Sequence, residues 1–136
     1  VKNVLDSFSK SNYVGLLGSA HALKSINNIL NVSHLCMAME SIKSLEKYGV
    51  DLQTGLNVIN NSSGRCLMTM ERIPKDVITE RYNYGFKLGL MKKDVNIALD
   101  IIGKDNKMFN NIKSLMEKAV EEYGFNSDYT EVSKLF

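Results

Sequence analysis

"GLLGSAHALKSINNILNVSHLCMAMESIKSLEKYG", residues 15–49, decides the fold. Its glycines stand only at the ends, it holds no proline, and its apolar residues recur at helical spacing. The spacing predicts one long helix from about Ser19 to Tyr48, stopped by Gly49 in a left-handed cap. On a helical wheel Leu17, Lys24, Asn28, Asn31, Leu35 and Ile42 share a stripe, bordered by Ala20, Asn27 and Ala38. The stripe is apolar, then polar for two turns, then apolar again. Ile26 and Ile29 lie opposite, so this half of the helix is expected to be surrounded. Glu40, Lys43, Ser44 and Lys47 form a plain solvent face.

Lys24 and Asn28 are four apart, so their side chains meet. A lysine held among Leu23 and Ile26 loses hydration, which favours the neutral amine, able to give or take a proton near neutral pH. An amide beside it can donate to and accept from a hydroxyl or carboxylate. The bland alternative is that Lys24 reaches water and the asparagines bond backbone carbonyls.

Outward from this helix, strand signals are almost absent and segments of period 3.6 end in glycine. Asp51 is expected to cap a short helix through Leu56, Val58 and Ile59, broken by "NNSSG" (60–64). A further helix covers Cys66 to Arg72, ahead of the single proline, Pro74. A loop punctuated by "NYG" (83–85) leads to a helix from Phe86 to Ile102, ended by Gly103. Asp105 is the expected cap of a helix from Met108 to Tyr123, ended by Gly124, and Asp128 of a last turn or two through Val132 and Leu135. "VKNVLDSF" reads as a short amphipathic helix and "SNYVG" as a brief extended piece. The fold class is therefore all-α around one long central helix.

The chain has 136 residues, 44% hydrophobic and 24% charged, which suits one globular domain. A net charge of +2 with dispersed lysines argues against nucleic-acid binding. No apolar run reaches the roughly 18 residues of a membrane span, and the first residues lack a signal-peptide core. Cys36 and Cys66 stand in no metal-ligand spacing, so no metal site is expected, and free thiols in the cytoplasm are the simple reading. His21 and His34 read as ordinary helix residues.

The ordered set "GLLGSAHALKSINN", Glu40, Gly49-Val50-Asp51, "SGR" (63–65), "FKLGLMKKDVNIA" (86–98), and Gly124 with Asp128 resembles the C-terminal domain of the β-hydroxyacid dehydrogenases. That group contains 3-hydroxyisobutyrate dehydrogenase, tartronate semialdehyde reductase and the glyoxylate/succinic semialdehyde reductases. The resemblance covers nearly the whole chain from Gly15. Ala20 stands where the pattern has a third glycine, and Asp128 falls one place late. The family's Gly-rich dinucleotide loop has no counterpart in these residues. The resemblance thus implies a helical domain like the C-terminal one of 6-phosphogluconate dehydrogenase. Residues 15–136 would be a catalytic and dimerisation domain, and residues 1–14 the tail or linker of an N-terminal Rossmann domain. It also implies an oxidoreductase using NAD or NADP on a small hydroxyacid or semialdehyde, in a homo-oligomer, inactive as this piece alone.

Carried over by position, the resemblance makes Lys24 the general acid/base. Asn28 would hold substrate, Asn27 would bind or fix local geometry, and Phe86 would wall the pocket, or else be a core aromatic. Lys93, with Lys92 as a competitor, would reach the nicotinamide end of the cofactor. Asp94 would orient it or contact substrate. Otherwise this Lys-Lys-Asp run is a solvated face. Arg65 would either meet a substrate carboxylate or anchor its loop. A reading from another class is a non-catalytic helical interaction module using Met37, Met39, Met68 and Met70. The enzyme reading requires Lys24, Asn28, Phe86 and Lys93 to converge on one cleft; the interaction reading does not.

Overall fold

The computed structural model describes residue 4 and residues 6–136. Half of the expected helix in "VKNVLDSF" falls outside the described residues; Asp6, Ser7 and Phe8 form turns, and residues 10–14 have no regular structure. The rest is helical: α1 (Ser19–Lys43), a 3-10 turn (Glu46–Tyr48), α2 (Leu52–Asn60), a π-helix (Met68–Val77), α3 (Leu88–Ile102), α4 (Lys107–Tyr123) and a 3-10 helix (Tyr129–Leu135). Among the described residues the only β pairing is an isolated bridge between Lys87 and Asp128.

α1 is the spine, touching α2, the π-helix, α3, α4 and the last 3-10 helix, with α3 as its main neighbour. Its buried side includes Ile29, Val32, Leu35, Cys36, Met39 and Ile42. It is shorter than its spacing suggests: it stops at Lys43, and the chain tightens into the 3-10 turn before Gly49 closes it at φ 77°. Its first half is not surrounded either. Ile29 is buried, yet Leu23 is 55% and Leu30 42% exposed.

Most helix ends follow the sequence signals. Asp51 accepts from the Thr54 amide and caps α2, and Asp128 accepts from the Thr130 amide. The cap of α4 is Asn106 rather than Asp105; its side chain accepts from the Phe109 amide, and the helix starts at Lys107.

The larger departure is at Pro74, which lies inside a helix instead of after one. The coil is widened to i→i+5 bonding, as in the bond from Ile78 N to Ile73 O. Pro74 has no N–H for the carbonyl five residues back, that of Thr69. The Asn60 side-chain amide donates to that carbonyl at 3.0 Å instead. A side chain from α2 thereby satisfies the acceptor that proline leaves open.

Candidate active site

α3 brings an acidic side chain into the core. Asp94 sits on the face shared by Met91, Val95 and Ala98, all buried, and its own side chain is 1% exposed. A carboxylate cannot remain ionised there without donors. They come from α1: Lys24 Nζ donates to Oδ2 at 2.9 Å and Asn28 Nδ2 donates to the same oxygen at 2.7 Å. Lys93 Nζ lies 3.3 Å from Oδ1, an oxygen that is buried with no hydrogen bond. Burial pushes the carboxyl up, but the hydrogen bonds from Lys24 and Asn28 and the nearby Lys93 ammonium outweigh it and hold Asp94 below its usual range.

Two ammonium groups share one carboxylate, which leaves one net positive charge. The lysine side chains are 51% and 54% exposed, so that charge faces outward from a buried anchor. Lys24 is therefore half-exposed, as in the alternative where it reaches water, with an aspartate fixing it at the rim of the core. The same contact rules out a solvated face for Asp94, although Lys93 is exposed and Lys92 half-buried.

The other expected residues stand apart from this cluster. Asn27 is exposed and makes no side-chain hydrogen bond among the described residues. Phe86, just before α3, packs its ring edge-on to Tyr129 at 6.3 Å, which is the core-aromatic alternative. Arg65 is exposed in the loop before the π-helix, without an ion pair among the described residues. Of the residues required to converge, Lys24, Asn28 and Lys93 do so through Asp94. The central part of Asp94 had a signal: an acid at the i+3 position of an otherwise apolar helix stripe.

Among the described residues no group of His, Cys, Asp and Glu could hold a metal. Cys36 and Cys66 are free thiols, and burial pushes Cys36 up to about 12. No helix among the described residues is long and apolar enough to cross a membrane.

A family model described as the NAD-binding region of NADP-dependent 3-hydroxyisobutyrate dehydrogenase matches residues 18–136. The chain belongs to the 3-hydroxyisobutyrate dehydrogenase family. It is 27% identical to a probable mitochondrial 3-hydroxyisobutyrate dehydrogenase of Arabidopsis thaliana, over 98% of this chain and 41% of that protein. It is 28% identical to 2-(hydroxymethyl)glutarate dehydrogenase of Eubacterium barkeri, over 79% of this chain and 36% of that protein. Its fold matches that of a Mycobacterium tuberculosis 3-hydroxyisobutyrate dehydrogenase, described with L-serine, at a TM-score of 0.83 and 21% identity, covering 98% of this chain and 49% of that one. The chain therefore spans less than half the length of these relatives. The family's cofactor is NAD or NADP. The outward-facing ammonium groups leave a single net positive charge at the surface of this cluster.

Proposed function

We propose that this chain is the C-terminal, catalytic and dimerisation part of an NAD(P)-dependent β-hydroxyacid dehydrogenase, with Lys24 as its general acid/base. The observation that carries the reading is the pairing of Lys24 and Asn28 with the buried Asp94. A carboxylate fixed in the core holds the ammonium at one place and leaves its remaining N–H donors free for an oxygen atom.

The nicotinamide, when bound, supplies or accepts the hydride at the substrate carbon. In the reductive direction Lys24 gives a proton to the carbonyl oxygen and stabilises the negative charge growing there. In the oxidative direction the neutral amine takes the hydroxyl proton. Asp94 keeps the amine oriented through both steps. Asn28, whose amide nitrogen is committed to Asp94, presents its carbonyl oxygen to the substrate hydroxyl, and Asn27 supports that contact from the exposed side. Lys93 reaches toward the nicotinamide end of the cofactor. The net positive charge favours a substrate carboxylate, hence a small hydroxyacid or semialdehyde.

The remaining parts belong to the same proposal. A Rossmann domain precedes this one, residues 1–14 being its tail, and holds most of the dinucleotide. The enzyme is a homo-oligomer. An apolar groove of 490 Å³ lined by Leu30, Met37, Met108 and Leu115, among others, supports that expectation. The test is Lys24→Ala in the full-length enzyme. The expected result is a loss of about 10²–10⁴ in kcat with the folded state retained; a kcat within threefold of the parent overturns the assignment. Residues 1–136 alone are expected to give no NAD(P)-dependent turnover.

A further inference from the structure

The end of the chain holds the start of α3. The helix has no side-chain cap at Lys87, so its first amides need other acceptors. Backbone carbonyls from the segment after α4 supply them: Leu88 N donates to Ser127 O at 2.7 Å and Gly89 N to Phe125 O at 3.0 Å. In return Tyr129 N donates to Phe86 O at 2.8 Å. Asp128 closes the arrangement. One of its oxygens accepts from Gly85 N at 2.8 Å, and the other from the amide and hydroxyl of Thr130. Phe125 lies so close to Gly89 that a Cβ there would meet its ring at 2.0 Å.

This clasp grips α3 fewer than two turns before Lys93 and Asp94. Asp94 meets donors on a different helix, α1, at 2.7 and 2.9 Å. A rotation or slide of α3 therefore changes both contacts between Asp94 and α1 together. We propose that Asp128 and Phe125 are positioning residues for the reaction, acting through the start of α3 on Asp94 and hence on Lys24. The inference rests on the catalytic reading of Lys24. Neither residue touches the cluster, and neither carries a proton in the reaction.

The test compares Asp128→Ala with Asp51→Ala in the full-length enzyme. Asp51 is a matched control: it too accepts from the amide and hydroxyl of a threonine at a helix start, but it caps α2. Both variants are expected to lower Tm. Only Asp128→Ala is expected to lower kcat, by about tenfold or more, since small misplacements of reacting groups are costly, and to shift the pH profile of kcat. Phe125→Leu, at a half-exposed side chain, provides a second variant that should fold; a loss of about threefold or more in kcat is expected. Equal kcat losses in the two aspartate variants overturn the inference, as does an unchanged kcat and pH profile in Asp128→Ala or, should that variant not fold, in Phe125→Leu. If Lys24→Ala retains activity, the catalytic reading itself fails, which is a separate outcome.

Discussion

Asp94 is the residue on which the stability of the cluster turns and, under the proposed function, its chemistry as well. Its carboxyl is held below the usual range, so the folded state binds its proton less tightly than the unfolded chain does. Such a group stabilises the fold above its unfolded value of about 4, and the contribution is lost as pH falls through the lower folded value. Asp94→Asn should therefore be less stable than the parent at pH 7, and the gap should close as the pH falls below about 4. Urea unfolding of both proteins across that range checks the sign; a gap that widens toward low pH contradicts it. The identity of Lys24 is a sharper matter. Arginine can keep the ion pair with Asp94 but cannot give up its proton. Lys24→Arg should retain most of the fold's stability while losing kcat nearly as fully as Lys24→Ala, as steady-state kinetics and thermal denaturation of the two variants would report. The sequence placed Lys24 and Asn28 together because i,i+4 neighbours must meet. It leaves open whether the lysine is desolvated or reaches water, and does not pair it with Asp94, because a wheel for one helix carries no information about the charge its neighbour presents.

The elements were legible to the extent that their ends are chemically marked. Asp51 and Asp128 cap helices through their own side chains, and Gly49 closes the turn after α1. Those signals are local, so they survive into the folded chain. The π-helix was not legible, because its tolerance of Pro74 depends on the Asn60 amide, donated from another element. Asn106 in place of Asp105 is a shift of one residue between two competent caps. α3 shows why its first turn could not be anticipated: its acceptors arrive from some forty residues later. That long-range fit makes a specific demand on Gly89. Gly89→Ala drives a methyl group into the Phe125 ring, and overpacking of this kind costs roughly 1–3 kcal/mol. In a Phe125→Ala background the same substitution should cost much less. A double-mutant cycle by urea unfolding tests it, and additive costs would place the strain elsewhere.

At the scale of the molecule, polarity is distributed unevenly along α1. Its second half is embedded, with Leu35 and Ile42 fully buried. Its first turns are open and follow a run of apolar side chains left in water: Tyr13 is 88%, Leu16 83% and Leu17 106% exposed. A patch of this kind is costly unless something covers it. Under the proposed function the cover is the dinucleotide-binding domain, which must approach from this side to bring the nicotinamide to Lys24. The two leucines would then act in docking rather than in folding. Replacing Leu16 and Leu17 together by serine should leave the unfolding free energy of residues 1–136 within about 0.5 kcal/mol, as for other exposed positions. In the full-length enzyme each leucine that becomes fully buried should contribute about 1.5–3 kcal/mol to docking. The double variant should therefore show a raised KM for the dinucleotide or a lowered kcat, together with faster amide exchange over the first turns of α1. If the isolated chain is destabilised by several kcal/mol while the full-length kinetics are unchanged, these leucines serve the helical fold and the domain approaches from another face.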